Sequence, residues 1–403
     1  MDVREGIMRR ATVKWILVVM ALAMAGGEFR GQGTVNSDKL LPIQEGGVWG
    51  VMERSGKVIL PPLYDEVWIS EGTIVVWGGQ GGGPRYLTRN IEFIWKPPDL
   101  PDLEDEDLRE LPNSLGRFQE GLAKVVVGGL FGFINKAGKY AAKPEFLRAR
   151  DFSEGLAAVK NDTGLWGYIG KDGVYVINPE FSMASSFREG LAAVTTRDWE
   201  RGYIDRAGKF VIKAQFAMVA DFSEGLAAVA VRDPGEEPLP GILGTASFKG
   251  KWGYVDKSGA MAISPQFEEV YPFYEGLAAV KQGGKWGFVD KTGKMLASPQ
   301  FEQASVFREG LAVVKLGGKW GYIDRKGTML ISPRFDDAWG FSEGLAAVNQ
   351  GGKWGFIDPT GKMIINPQFE KVWGFSEGLA AVWLNKKMGY ITKTGEYFWR
   401  ASK

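Results

Sequence analysis

The stretch FYEGLAAVKQGGKWGFVDKTGKMLASPQF at 273–301 decides the fold, because most of it returns along the chain. Its Trp286 has counterparts at Trp252, Trp320 and Trp354, 34 residues apart each time, each preceded by Lys and followed by Gly. A fixed period of this size marks a tandem repeat architecture. A residue that appears in every unit holds the units together more often than it performs one reaction.

Working outward, the unit reads Phe-x-Glu-Gly-Leu-Ala-Ala-Val, a short link, Gly-Lys-Trp-Gly, an aromatic, Ile or Val, Asp, two residues, Gly-Lys, an apolar run and Pro-x-Phe. The Glu-Gly pair occurs at Glu120, Glu154, Glu189, Glu224, Glu275, Glu309, Glu343 and Glu377, with one long gap between Glu224 and Glu275. Trp49 and Trp166 belong to the Trp series, and Pro84, Phe131, Arg201 and Met388 stand in for Trp in other units. These positions define about ten units of 34 residues, the first starting near residue 37.

Within one unit, Gly276 to Lys281 reads as a Gly-bounded strand and Gln282-Gly283-Gly284 as a tight reversal. Lys285 to Asp290 is a second strand, with Trp286 and Phe288 on one face. Asp290 to Gly293 is a turn, since Asp bonds the backbone ahead of it and Gly takes the positive φ. Lys294 to Ser298 forms a further strand that Pro299 is expected to stop. Gly and Pro interrupt every stretch before a helix could accumulate. Trp286 and its equivalents read as the main core residues. Gly287 reads as space for a neighbouring aromatic, the Ala278-Ala279 pair as close packing on both faces, and Glu275 as a backbone-bonding turn residue.

This pattern resembles the WG-repeat (KWG-repeat) proteins of bacteria over residues 37–403, with Glu-Gly-Leu-Ala-Ala-Val followed by Gly-Gly-Lys-Trp-Gly-Phe-Ile-Asp as the specific part. The resemblance implies a β-rich repeat of exported or surface-associated proteins with no general catalytic activity, and supplies no functional residues. The expected fold is therefore all-β: an array of antiparallel units of three to four short strands. An open, curved solenoid-like array is favoured, because ten units exceed the usual four to eight blades of a propeller. The alternative is a closed propeller-like ring.

The chain of 403 residues has a formal net charge of +1 and no basic half, which argues against a nucleic-acid partner. It has no Cys and no His, which removes thiolate chemistry, the commonest metal ligand and the usual general base. Carboxylate chemistry survives that filter. No cofactor and no metal are expected; the Asp-x-x-Gly turns lack the alternating oxygens of a calcium loop. At the N-terminus, Arg4, Arg9, Arg10 and Lys14 precede the apolar run Trp15 to Ala25 and a small-x-small site, the pattern of a signal peptide over 1–25. Residues 26–36 read as a spacer. The mature chain is expected to be exported, to the periplasm, the cell surface or the medium, with no membrane span.

Function is sought where the units differ. Four residues before the Glu stand Tyr271, Ser305, Trp339 and Trp373 in later units, but Arg150, Ser185 and Ala220 in earlier ones. The three aromatics are the candidate ligand-facing residues. The acidic insertion at 99–112 and the Pro/Gly-rich insertion at 231–248 are further departures. The repeated Trp and Glu residues, Glu154 to Glu377, are assigned to structure. The expectation is a non-catalytic scaffold that binds a protein or an envelope glycan; the alternative is a carboxylate-dependent polysaccharide hydrolase, which needs two carboxylates about 5–10 Å apart in a cleft.

Overall fold

The computed structural model describes residues 40–78, 84–88, 93–95, 117–233 and 250–401. The expected signal peptide at 1–25, the expected spacer at 26–36, the 99–112 insertion and all but the first residues of the 231–248 insertion lie outside the described residues. Every described element is a strand or a turn. The strands form ten antiparallel meander sheets, eight of four strands and two of three. We number these blades 1 to 10 in chain order; blade 7, for example, runs from Glu269 to Phe301 and blade 10 from Lys371 to Arg400.

Each blade follows from its sequence. The Gly283-Gly284 hairpin takes φ of +60° and +73°, the left-handed pair that a two-residue hairpin requires. The Asp turn closes as anticipated: Asp290 Oδ1 accepts from the Thr292 and Lys294 backbone N–H groups at 2.9 and 3.0 Å. Pro299 does not stop the last strand, which runs on from Met295 to Phe301. The strand instead bulges, because Trp286 pairs with Phe301 while Phe288 pairs with Ala297. That bulge explains Gly287. A Cβ there would lie 2.5 Å from the Ala297 carbonyl oxygen, so the space belongs to the blade's own backbone rather than to a neighbouring aromatic.

The blades pack face to face, and each core is shared by two consecutive blades. Leu311, Val313, Tyr322, Ile331 and Phe335 of blade 8 meet Ala338, Phe341, Ala346, Val348 and Ile357 of blade 9. Successive side chains of a strand alternate faces. Ala346 therefore packs against blade 8 and Ala347 against blade 10, which is why the small residue comes in pairs. The deepest aromatic is not Trp. Tyr168, Tyr203, Tyr254, Phe288, Tyr322 and Phe356, two residues after the Trp position, are fully buried, whereas Trp166, Trp252, Trp320 and Trp354 are half-buried. Each deep aromatic meets a Phe of the next blade edge to face, as Tyr254 meets Phe273 with ring centroids 4.8 Å apart. Its hydroxyl donates across the same junction, to the Tyr271 carbonyl at 2.7 Å.

A second inter-blade contact starts from backbone strain. Glu154, Glu189, Glu224, Glu275, Glu309, Glu343 and Glu377 all have φ near +50°. A non-Gly residue in this region costs about 1 kcal/mol or more. The conformation aims each carboxylate at the following blade. Glu275 accepts from the Gly310 N–H at 2.9 Å, and Glu343 from the Gly378 N–H at 2.8 Å. A cation on the next blade completes several of these latches, as Lys291 does for Glu224 at 3.2 Å and Lys393 for Glu343 at 3.3 Å. Partial burial works to raise the pKa of Glu120, Glu189, Glu224 and Glu343. The Lys and backbone N–H donors outweigh it and hold these carboxyls below the ordinary value of 4.5.

The ten blades close on themselves as a ten-bladed β-propeller, so the favoured open array is corrected to the closed alternative. Blade 10 packs on blade 1 through Leu379, Ala381, Trp383, Met388 and Tyr390 against Leu41, Ile43 and Met52. The Tyr390 hydroxyl donates to the Pro42 carbonyl at 2.8 Å, and Arg54 pairs with Glu377 at 3.6 Å. The physical reason is that each blade buries both faces. An open array would leave an apolar face of blade 1 and one of blade 10 in water, and closure lets each cover the other.

Two outcomes test this packing. Gly321→Ala places a Cβ 2.4 Å from the Ile331 carbonyl oxygen and should destabilise the ring by roughly 1–3 kcal/mol in denaturant unfolding; an unchanged midpoint would contradict the close backbone approach. Glu343→Asn keeps a residue that favours the left-handed turn but is too short to latch. It should cost about 1 kcal/mol or less, since the site is largely exposed. The sign with pH follows from the depressed folded-state values: the stabilisation is present above the ordinary 4.5 and is lost as pH falls through the folded pKa. Thermal melts of the parent should therefore decline below that value, and less steeply in Glu343→Asn. Equal slopes would remove the latch as the cause.

Candidate ligand surface

The two ends of every blade carry different chemistry. The Glu-Gly and Asp-x-x-Gly turns share one end, since Leu277 pairs with Asp290. There the acidic groups are engaged by latches and turn N–H groups. Asp256, Asp290 and Asp358 are held below the usual carboxylate range chiefly by the hydroxyls of Ser258, Thr292 and Thr360. The Gly-Gly hairpins and the Trp positions lie towards the other end, since Lys281 pairs with Trp286 beside the hairpin.

At that end the three candidate aromatics each pack on an aromatic of their own blade. Tyr271 lies 5.1 Å from Trp286, Trp339 lies 5.3 Å from Trp354, and Trp373 lies 5.2 Å from Trp383, centroid to centroid. All three are half-buried, so each keeps part of its ring in solvent while thickening the aromatic layer. Their backbones are fixed by the sheet: the N–H groups of Tyr271, Trp339 and Trp373 donate to Ala279, Ala347 and Ala381. Burial, and secondarily the charge of Glu269, pushes the Tyr271 hydroxyl up from its ordinary value. Blade 4 carries Arg150 at this position, with its guanidinium 5.7 Å from the centre of the Trp166 ring.

Cations accompany the layer. Lys281 sits 5.8 Å from the Trp286 centroid and pairs with Glu269 at 2.5 Å, and Lys315 sits 5.6 Å from that of Trp320. Such contacts are worth about 0.5–1 kcal/mol at exposed sites. The structure thus brings the predicted aromatics into one type of position, but not into one pocket, because Tyr271, Trp339 and Trp373 belong to blades 7, 9 and 10.

Sequence reasoning missed the junction of blades 10 and 1. Trp49 lies parallel to Trp373, with centroids 6.0 Å apart and an interplanar angle of 5°. Lys371 lies 4.7 Å from the Trp383 centroid and 5.9 Å from that of Trp373. The Trp383 indole N–H donates to Gln44 Oε1 at 3.2 Å. The signal was a register substitution. Lys371 pairs with Trp383 where blade 7 pairs Glu269 with Lys281, so the usual acid–base pair has become a base–indole pair.

Among the described residues, no helix is long and apolar enough to cross a membrane, and no cluster of three or more carboxylates is placed to hold a metal ion. Solved structures similar to the chain include three at low identity. The computationally designed Ika8 protein is 11% identical over 71% of this chain and 96% of its own, with a TM-score of 0.35. BamB from Moraxella catarrhalis is 10% identical over 70% and 91%, with a TM-score of 0.36. The extracellular domain of the putative hybrid two component system BT3049 from B. thetaiotaomicron is 10% identical over 91% and 57%, with a TM-score of 0.24. No curated protein matches the chain. The WG containing repeat model matches residues 49–76, 131–162, 166–198, 202–233, 252–286, 286–320, 320–354 and 354–387. These matches span more than half of the chain, each running from near the Trp position of one blade into the next, and the protein belongs to the WG-containing repeat family.

Proposed function

We propose that this chain is an exported, non-catalytic ring scaffold that holds a protein or an envelope glycan against the aromatic layer at its hairpin end. One observation carries the reading: the repeated polar side chains are spent on joining blades, whereas Tyr271, Trp339 and Trp373 add half-exposed rings that the blade itself does not require. Blades 4, 5 and 6 fold with Arg150, Ser185 and Ala220 at the same place. The basic and apolar N-terminal segment supports export to the periplasm, the cell surface or the medium.

The carboxylate geometry gives little support to a hydrolase. The repeat glutamates face backbone N–H groups, and the turn aspartates face their own turns. Asp336 and Asp337 do have pKa values moved in opposite directions. The Lys319 contact and the Gly351 N–H lower Asp336, while burial raises Asp337. Asp336 is engaged by Lys319 and the Gly351 N–H, and Asp337 accepts from the Ala338 N–H, so each carboxyl has its own partner.

The test is a Tyr271→Ala/Trp339→Ala double variant, compared with the parent in affinity capture from a native envelope fraction and on a panel of envelope glycans. Binding should fall by at least about tenfold, as expected for two lost aromatic contacts, with circular dichroism and hydrodynamic size unchanged. Full retention of binding by the variant would refute the aromatic layer as the contact surface.

A further inference from the structure

We propose that the junction of blades 10 and 1 is a binding site for acidic sugars, with Lys371 meeting the sugar carboxylate and the exposed parts of Trp49 and Trp373 meeting its apolar face. The proposal rests on the reading of the chain as a binding scaffold and names the ligand class for one place on it.

Three features set this junction apart. Trp49, Trp373 and Trp383 converge here, whereas the layer elsewhere is built from pairs of rings or a ring and a cation. Lys371 is exposed and lies over two indoles, with no ion pair to a carboxylate among the described residues. In blade 7 the same pair of positions holds Glu269 and Lys281, which neutralise each other at 2.5 Å. The nearby Glu370 is engaged elsewhere, accepting from the Lys386 N–H at 2.9 Å. An exposed ammonium without a carboxylate, fixed beside half-exposed indoles, selects an anion that also carries a flat apolar face.

The backbone at the junction favours a sugar over an acidic peptide. A peptide added to a sheet is held by main-chain hydrogen bonds. Here the edge strand Lys371–Val372 is two residues long and offers an added chain little ladder. Lys371 and Val372 pair with Trp383 and Val382, the Glu370 N–H donates to the Trp383 carbonyl, and the Trp373 N–H donates to the Ala381 carbonyl. The Pro42 carbonyl of blade 1 is taken by the Tyr390 hydroxyl. What remains is ring surface and one positive charge, which a uronic acid matches with the C–H face of its ring and its carboxylate.

The experiment is calorimetric titration of the full chain with oligogalacturonate, with maltohexaose as the uncharged sugar and poly-L-glutamate as the acidic peptide. Oligogalacturonate should bind in a salt-sensitive manner. Lys371→Gln should weaken it roughly tenfold, the scale of one charge-assisted contact, and Lys371→Arg should restore it. Thermal midpoints should stay unchanged, because Lys371 is exposed. Absence of oligogalacturonate binding, or equal binding to Lys371→Gln, overturns the proposal. Poly-L-glutamate binding as tightly as the sugar overturns it in favour of an acidic polypeptide. If an envelope partner is lost in Tyr271→Ala/Trp339→Ala while the parent ignores oligogalacturonate, the scaffold reading stands and this site falls.

Discussion

The ring depends on a contact made from a strained residue. A two-residue hairpin turn of this geometry ordinarily carries Asn or Gly in its first position. Here it carries Glu, at φ near +50° in blade after blade. Asn would relieve local strain but could not reach the next blade. Glu reaches it, and its carboxylate meets a Gly N–H that the next turn leaves pointing outward. The strain and the inter-blade bond are therefore one arrangement. The turn supplies both the acceptor and the donor, so a repeated turn sequence joins itself to its neighbour. Each latch is weak because it is largely exposed. Its value is directional: it sets the offset between consecutive blades, and the buried Tyr hydroxyl sets that offset again at the other side of the core.

The unit itself was legible because strand and turn signals are local. The Gly-Gly reversal, the Asp turn and the alternating apolar strands depend only on residues within the unit, and the structure has them where the pattern puts them. Closure was not legible in that way. It depends on whether Leu41 and Ile43 meet Tyr390, residues separated by almost the whole chain, and no local signal encodes that pairing. Blade count gave the wrong guidance because small residues change the permitted geometry. The consecutive Ala pair of the strand ahead of the Gly-Gly hairpin puts one small side chain on each face, which lets neighbouring sheets approach closely, so short units stack into a larger ring. Pro299 misled for a related reason. It sits in an edge strand at a bulge, where no ladder hydrogen bond is required of it.

The Trp that announces the repeat is less buried than the aromatic two residues later, and the difference has a physical origin. The buried position lies at the middle of the strand and faces the adjoining blade, where Tyr or Phe fills the gap and Tyr can spend its hydroxyl on a carbonyl. The Trp position lies next to the hairpin, where an indole can cover the edge of the core and still touch water. The Trp of the repeat is thus a rim residue in blades such as 4, 6, 8 and 9. That left room for Tyr271, Trp339 and Trp373 to be added on top of it in some blades without disturbing the core.

A ring of near-identical junctions poses a problem for recognition. Any partner that fits one junction fits its neighbours, so it could sit in many equivalent rotations. A defined orientation requires a junction that differs from the rest, and closure creates one. In the ordinary blades a residue ahead of the second strand donates to the carbonyl that Ala279 represents, and its own carbonyl is free for the incoming Tyr, as in Tyr254 to Tyr271. In blade 1 the Tyr390 hydroxyl goes directly to Pro42, the equivalent of Ala279. Indoles occupy the neighbouring space, and Lys371 lies over them. Among the described residues the ring closes through side chains, and the chemical identity of the seam follows from those contacts. The same contacts that join the last blade to the first also give the ring a single reference point.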